Sequence, residues 1–207
     1  MSFVRAAVGA GIAIVMSPML LQIVCYTATT VPSRRHIGAF VAVVAAAGAC
    51  VATWPPTSIT AGALLVVLGV PAATVDALEH RIPNRLSLSL AAGTAVALGA
   101  VAVIEGALPE WTRAMAGGAI WSGLLAASFL VTGHPGPGDI KLAVSLGMTL
   151  GWLSWNAIIS GVVLAYLLAA VAGAIGLVTR RLCLADGRLP MAPPMLAATI
   201  ATAIALT

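Results

Sequence analysis

Eight apolar runs succeed one another along this chain, near residues 6–26, 37–54, 58–78, 86–104, 111–133, 139–155, 157–178 and 190–207. Most approach or exceed the roughly 18 to 20 residues that carry a helix across about 30 Å of hydrocarbon. A helix is also the form that satisfies its own backbone donors and acceptors where water is excluded. Most breaks between the runs hold turn residues: Pro32 with Arg34 and Arg35, Pro55 and Pro56, Pro83 with Asn84, Pro109, Pro135 to Gly138, and Gly187 to Pro190. The pattern predicts an all-α polytopic membrane protein of about eight transmembrane helices. Composition agrees, since 61% of the 207 residues are hydrophobic and 8% charged, against roughly 25% charged in a soluble domain.

The few charges report topology. Alternating the connections across a bilayer puts Arg34, Arg35, Arg81, Arg85, Lys141, Arg180, Arg181 and Arg188 on one side and leaves Arg5 and Arg113 on the other. The positive-inside rule then predicts a cytoplasmic location for the connections near 27–36, 79–85, 134–141 and 179–189. Trp54, Trp111, Trp152 and Trp155 are expected at the opposite interface, as ring side chains of a headgroup belt. The net charge of +4 forms no basic stripe, which argues against a nucleic-acid partner and leaves the lipid bilayer as the surrounding phase. Cys25, Cys50 and Cys183 are scattered, with no zinc-type pair or disulfide spacing, and read as packing residues. Small residues at GxxxG-like spacing read as ordinary helix-packing vocabulary.

Of the six acids, Glu105, Glu110 and Asp186 fall in predicted loops, and Glu79 neighbours His80 and Arg81, so all four read as solvated charges. Asp76 lies inside the third apolar run and Asp139 opens the sixth. A charged group at the centre of a membrane helix costs about 2.5–3.5 kcal/mol, less near an end, and so marks a functional site by default. Both fall at the same predicted depth, one at the inner end of a descending helix and one at the inner start of an ascending one. Two facing carboxylates hold one proton between them, and such a pair can deprotonate water while protonating a carbonyl or leaving amine. That chemistry needs no metal and no cofactor. Gly136 and Gly138 flank Pro137 just ahead of Asp139 and would let backbone approach backbone. Pro135 and Pro137 stop the preceding helix. His134 reads as a loop residue, and Lys141, two residues past Asp139, points away from it on a helix.

These residues resemble a known family. Asp76 followed by Ile82, Pro83 and Asn84 is similar to the first signature of prepilin (type IV leader) peptidases. Gly136-Pro137-Gly138-Asp139-Ile140-Lys141-Leu142 resembles the second, and Pro190-Met191-Ala192-Pro193-Pro194 a late proline-rich element. The resemblance covers roughly residues 58–207, as a six-helix catalytic core preceded by two further helices within 1–57. It implies a membrane aspartic endopeptidase of the cell membrane with Asp76 and Asp139 as catalytic pair, and Gly136, Gly138, Lys141, Pro83 and Asn84 shaping the site. The implied partner is a prepilin or pseudopilin whose short basic leader is cut at the cytoplasmic face. Long members add a cysteine-paired zinc domain and N-methyltransferase activity; no Cys-Xaa-Xaa-Cys occurs here, so the expectation is peptidase without methyltransferase.

Three alternatives stand beside it, one of them a purely structural subunit of a pilus or secretion assembly, in which both Asp76 and Asp139 could be replaced without consequence. Presenilin-like intramembrane proteases share the Gly-Xaa-Gly-Asp turn, but place Tyr where this chain has Val75 and carry a Pro-Ala-Leu element absent here. A proton-coupled transporter could use Asp76 and Asp139 as a relay with Pro71 as a helix kink, and would carry matching broken helices in its two halves.

Overall fold

The structure, a computed structural model, describes residues 2–30, 32–179 and 190–206. Its regular elements are all helical: α1 Ser2–Thr27, α2 Arg34–Val51, α3 Pro56–Leu64, α4 Val70–Glu79, α5 Asn84–Glu105, α6 Leu108–Thr132, α7 Pro137–Leu153, α8 Trp155–Val178 and α9 Ala192–Ala205. A π-helical turn, Leu65–Gly69, joins α3 and α4 into one rod. The chain is an all-α polytopic membrane protein. Six rods, α1, α2, α3–α4, α5, α6 and α8, are long and apolar enough to cross a membrane. Their outer faces carry exposed apolar side chains such as Val15, Val96, Val103, Leu130 and Ile159, which lipid tolerates and water would not.

Local chemistry sets the ends of the rods. The α4 helix stops at His80, whose left-handed backbone (φ 52°, ψ 37°) lets its N–H close on the Asp76 carbonyl. Gly106 and Gly133 end α5 and α6 in the same conformation, which glycine adopts without steric cost. Between α7 and α8 a single extended residue, Ser154, breaks the run, and its side chain accepts the Ala157 N–H at 3.0 Å. At the start of α2, Ser33 and His36 cap each other reciprocally.

One comparatively short helix, α7, is the best protected. With 17 residues, α7 is about 25 Å long, and Ser145 to Trp152 are buried without interruption. It packs against α5, α6, α8 and α9, so protein rather than lipid surrounds it. Glycines allow this: a Cβ on Gly117 of α6 would stand 2.4 Å from the Gly147 carbonyl oxygen, and one on Gly151 2.6 Å from that of Arg113. Ser145 and Thr149, fully buried, return their hydroxyls to the Leu142 and Ser145 carbonyls, the usual recourse of a hydroxyl inside an apolar helix. At its far end α7 is capped by Arg113, whose Nε donates to the Gly151 carbonyl at 2.7 Å and whose Nη2 donates to that of Trp152 at 2.8 Å.

Three expectations need correction. Trp54 and Trp152 are buried, 1% and 5% exposed, because they fill the gaps left by small residues. Trp54 lies against Gly62. Of the four rings only Trp155 is openly exposed, so the others face protein more than headgroups. Cys25 is exposed rather than packed, and Cys50 is half-buried. Glu79 is no solvated charge, as described below. Arg180, Arg181, Cys183, Asp186, Gly187 and Arg188 lie outside the described residues.

Candidate active site

Asp76 sits in the last turn of α4 and Asp139 in the first turn of α7. The chain enters α4 through the π turn, where Val70 N–H reaches back five residues to the Leu65 carbonyl. The widened turn gives room for the Pro71 ring, which has no N–H and would crowd a regular helix. Asp76 is 5% exposed and Asp139 8%. Both line one cavity of about 1010 Å³, together with His80 after α4, Ser128 and Thr132 of α6, His134 to Pro137, Tyr166 and the Ala169 to Leu177 face of α8, and Met191. The sequence places these two carboxylates 63 residues apart; the fold brings them to the wall of the same chamber.

Each aspartate is oriented by a backbone donor. Asp76 Oδ2 accepts the Ala192 N–H at 3.0 Å, and Asp139 Oδ2 accepts the Gly136 N–H at 3.1 Å. Ala192 is the first residue of α9, and Pro193 and Pro194 directly after it have no N–H to offer. The start of α9 therefore turns the Ala192 N–H, with that of Met191 beside it, toward Asp76. The Asp139 contact is half of a capping box, in which the third residue of a helix reaches back to the residue before it. Asp139 Oδ1, by contrast, is buried with no hydrogen-bond partner among the described residues. Leaving a buried polar group unpaired costs on the order of 1–3 kcal/mol, more for a charged one, so this oxygen has capacity for a further donor.

The remaining candidates brace the pair. A Cβ on Gly138 would meet Ile82 Cβ at 3.0 Å, whereas one on Gly136 would find only Asp139 Oδ2, at 3.7 Å. Gly138 thus permits close approach of the two turns, and Gly136 keeps space beside the carboxyl. Lys141 Nζ donates to Asn84 Oδ1 at 2.8 Å, linking the start of α7 to the start of α5. Pro83 supplies the residue before α5, its carbonyl accepting from Leu86 and Ser87. Pro83, Asn84 and Lys141 do not line the cavity. His134 is tied through its carbonyl to Ser128 and Thr132 hydroxyls at 2.9 Å. Sequence reading misses Ala192, because its contribution is a backbone N–H, and Tyr166, Ser128 and Thr132, which look like ordinary helix residues.

A second groove, about 580 Å³, lies on another face of α4 between α2 and α9; apart from His36, Cys50 and Thr74 its lining is apolar, and it holds no acid. The acids Glu105 and Glu110 stand at the opposite end of the bundle beside Arg113. Among the described residues no cluster of three or more His, Cys, Asp or Glu is arranged to hold a metal ion.

No curated protein and no solved structure matches this chain. The model of the type IV leader peptidase family matches residues 63–178, more than half of the chain and a span that contains Asp76, Asp139 and the turns around them, and the chain belongs to that family.

Proposed function

We propose that the chain is an aspartic endopeptidase that removes the short basic leader of a prepilin-like or pseudopilin substrate, with Asp76 and Asp139 as the catalytic pair. The observation that carries the reading is the shared cavity: Asp76 and Asp139, both buried, open onto it from the end of α4 and the start of α7. In the reaction one carboxylate takes a proton from water, whose oxygen attacks the scissile carbonyl. The other carboxyl protonates the carbonyl oxygen, and collapse of the tetrahedral intermediate delivers a proton to the departing amine. Asp139 Oδ1, free of protein donors among the described residues, suits the contact with water or substrate, while the Gly136 and Ala192 amides hold the two carboxyls in place.

The predicted excess of Lys and Arg at the end of the bundle bearing both aspartates supports a cytoplasmic site in a cell membrane. A basic leader would be drawn to a chamber carrying net negative charge. The absence of paired cysteines from the sequence supports a peptidase without methyltransferase. The two-part division into residues 1–57 and a core from 58–207 belongs to the same proposal. A relay transporter is less well supported: among the described residues one membrane rod is interrupted, at Leu65–Gly69, where that reading calls for a matching pair.

Co-expression with a candidate prepilin tests the proposal, with leader loss followed by gel shift and N-terminal mass. Wild type should cleave, and Asp76→Ala and Asp139→Ala should each abolish cleavage at normal membrane levels. Cleavage that survives both substitutions removes the aspartic mechanism.

A further inference from the structure

We infer that the α1–α2 hairpin, which lies outside the matched family span, positions the Asp76 end of α4 through Glu79. Glu79 is the last residue of α4. A carboxylate there faces the negative end of its own helix dipole, so its place calls for compensating partners. It has them, and its side chain is only 6% exposed. Oε1 accepts the N–H of Thr29, the Thr29 hydroxyl at 2.8 Å, the Thr30 N–H at 2.8 Å and the Thr30 hydroxyl at 3.2 Å. Oε2 accepts Arg81 Nε at 2.6 Å, and Arg81 Nη2 donates to the Thr27 carbonyl at 3.2 Å. The connection between α1 and α2 is thereby gathered around one carboxylate some fifty residues away in sequence.

The hairpin is a firm support. A Cβ on Gly9 would stand 2.4 Å from the Gly48 carbonyl oxygen, so α1 and α2 are in backbone contact. Leu20, Val24, Phe40 and Val44 join the main hydrophobic core. At the other side of the latch, Asp76 and Glu79 share one helical turn, closed by the His80 N–H on the Asp76 carbonyl at 2.8 Å. Helix ends fray, and here the fraying turn is the one that carries Asp76. Holding Glu79 holds that turn, and with it the carboxyl that meets Ala192. Glu79 is thus a positioning residue, acting through Asp76.

The kinetic arm of the test rests on the peptidase reading; the structural arm does not. The full chain in lipid nanodiscs is compared as wild type, Glu79→Ala, Glu79→Gln and the double substitution Thr29→Val with Thr30→Val. Amide hydrogen exchange is read by mass spectrometry at residues 76–81 and at Ala192, beside kcat and KM for leader cleavage. Glu79→Ala should speed exchange at the His80 and Ala192 amides about tenfold and lower kcat about tenfold, with KM within about twofold; the threonine pair, which leaves the Thr29 and Thr30 N–H donors in place, should move both in the same direction by less. Glu79→Gln keeps an acceptor for Thr29 and Thr30 but sets an NH2 against Arg81 Nε, and should restore part of both. Exchange unchanged in Glu79→Ala, or exchange raised with kcat unchanged, overturns the inference. Faster exchange in a chain whose wild type cleaves no leader leaves the positioning in place and removes the peptidase reading instead.

Discussion

Lys141 donates from Nζ to Asn84 Oδ1 at 2.8 Å, across 57 residues of sequence. That bond and the contact of Gly138 with Ile82 join the turn after α4 to the turn before α7. The two segments that carry the aspartates are therefore braced against each other by residues that touch neither carboxyl. Lys141→Met keeps the aliphatic stem and removes the ammonium. Asn84 is exposed and can turn to water, so folding should be unaffected, while leader cleavage should slow about tenfold, as when one positioning contact is lost. Asn84→Asp retains an acceptor oxygen and should stay within about threefold of wild type on the same grounds. Equal losses in both variants, measured on purified protein, would remove the contact as the cause.

The two glycines before Asp139 separate packing from chemistry. At Gly138 an added methyl would press on Ile82 at 3.0 Å. Gly138→Ala should therefore destabilise the fold by about 1–3 kcal/mol, read as a lower unfolding midpoint in denaturant. At Gly136 the methyl would meet only Asp139 Oδ2, at 3.7 Å, so Gly136→Ala should change stability by less than about 0.5 kcal/mol. Its methyl would stand in the cavity beside the carboxyl, and cleavage should fall even so. The reverse ranking in stability would contradict the packing.

Arg113 should matter to the far end of α7. Its guanidinium donates to the Gly151 and Trp152 carbonyls and reaches that of Leu153 at 3.4 Å, the groups a helix end leaves unpaired. Arg113→Leu should cost about 2–3 kcal/mol. Arg113→Lys should recover only part of it, because one ammonium cannot reproduce the planar fork. Thermal unfolding of the three proteins in the same detergent decides, and a lysine variant equal to wild type would show that charge alone suffices.

What the sequence disclosed and what it withheld follow from the kind of interaction involved. Asp76 and Asp139 stand out because a carboxylate is costly in an apolar run, and the all-helical membrane character is legible because helix length and bilayer thickness are tied, whereas α7 and α9, with 17 and 14 residues, are shorter than the spans their apolar runs suggest. Glu79 was not legible: an acid beside His80 and Arg81 reads as solvated, and its partners lie at Thr29 and Thr30 in another connection. Ala192 contributes a backbone N–H, which no side chain advertises, although Pro193 and Pro194 after it do mark which amide is left free. The inward turn of Trp54 and Trp152 depends on which face of each helix meets Gly62 and its neighbours, and periodicity is faint in helices that are apolar all round.

Pro71 offers the sharpest contrast between stability and function. Proline inside a helix costs about 3 kcal/mol or more relative to a regular turn, and here it is accommodated by the π turn Leu65–Gly69 just ahead of it. Pro71→Ala restores an N–H and removes the crowding ring, so the rod is free to tighten toward α-helical geometry. Each residue of register is about 100° of rotation in an α-helix, and even part of that would carry the Asp76 carboxyl away from the Ala192 N–H that fixes it at 3.0 Å. The variant is expected to unfold at the same temperature as wild type or higher, and to cleave leader at least about tenfold more slowly, since a displacement near 1 Å suffices for such a loss. Thermal unfolding and cleavage measured on one preparation test this together. A variant that is both as stable and as active as wild type would mean that the π turn does not set the direction of Asp76.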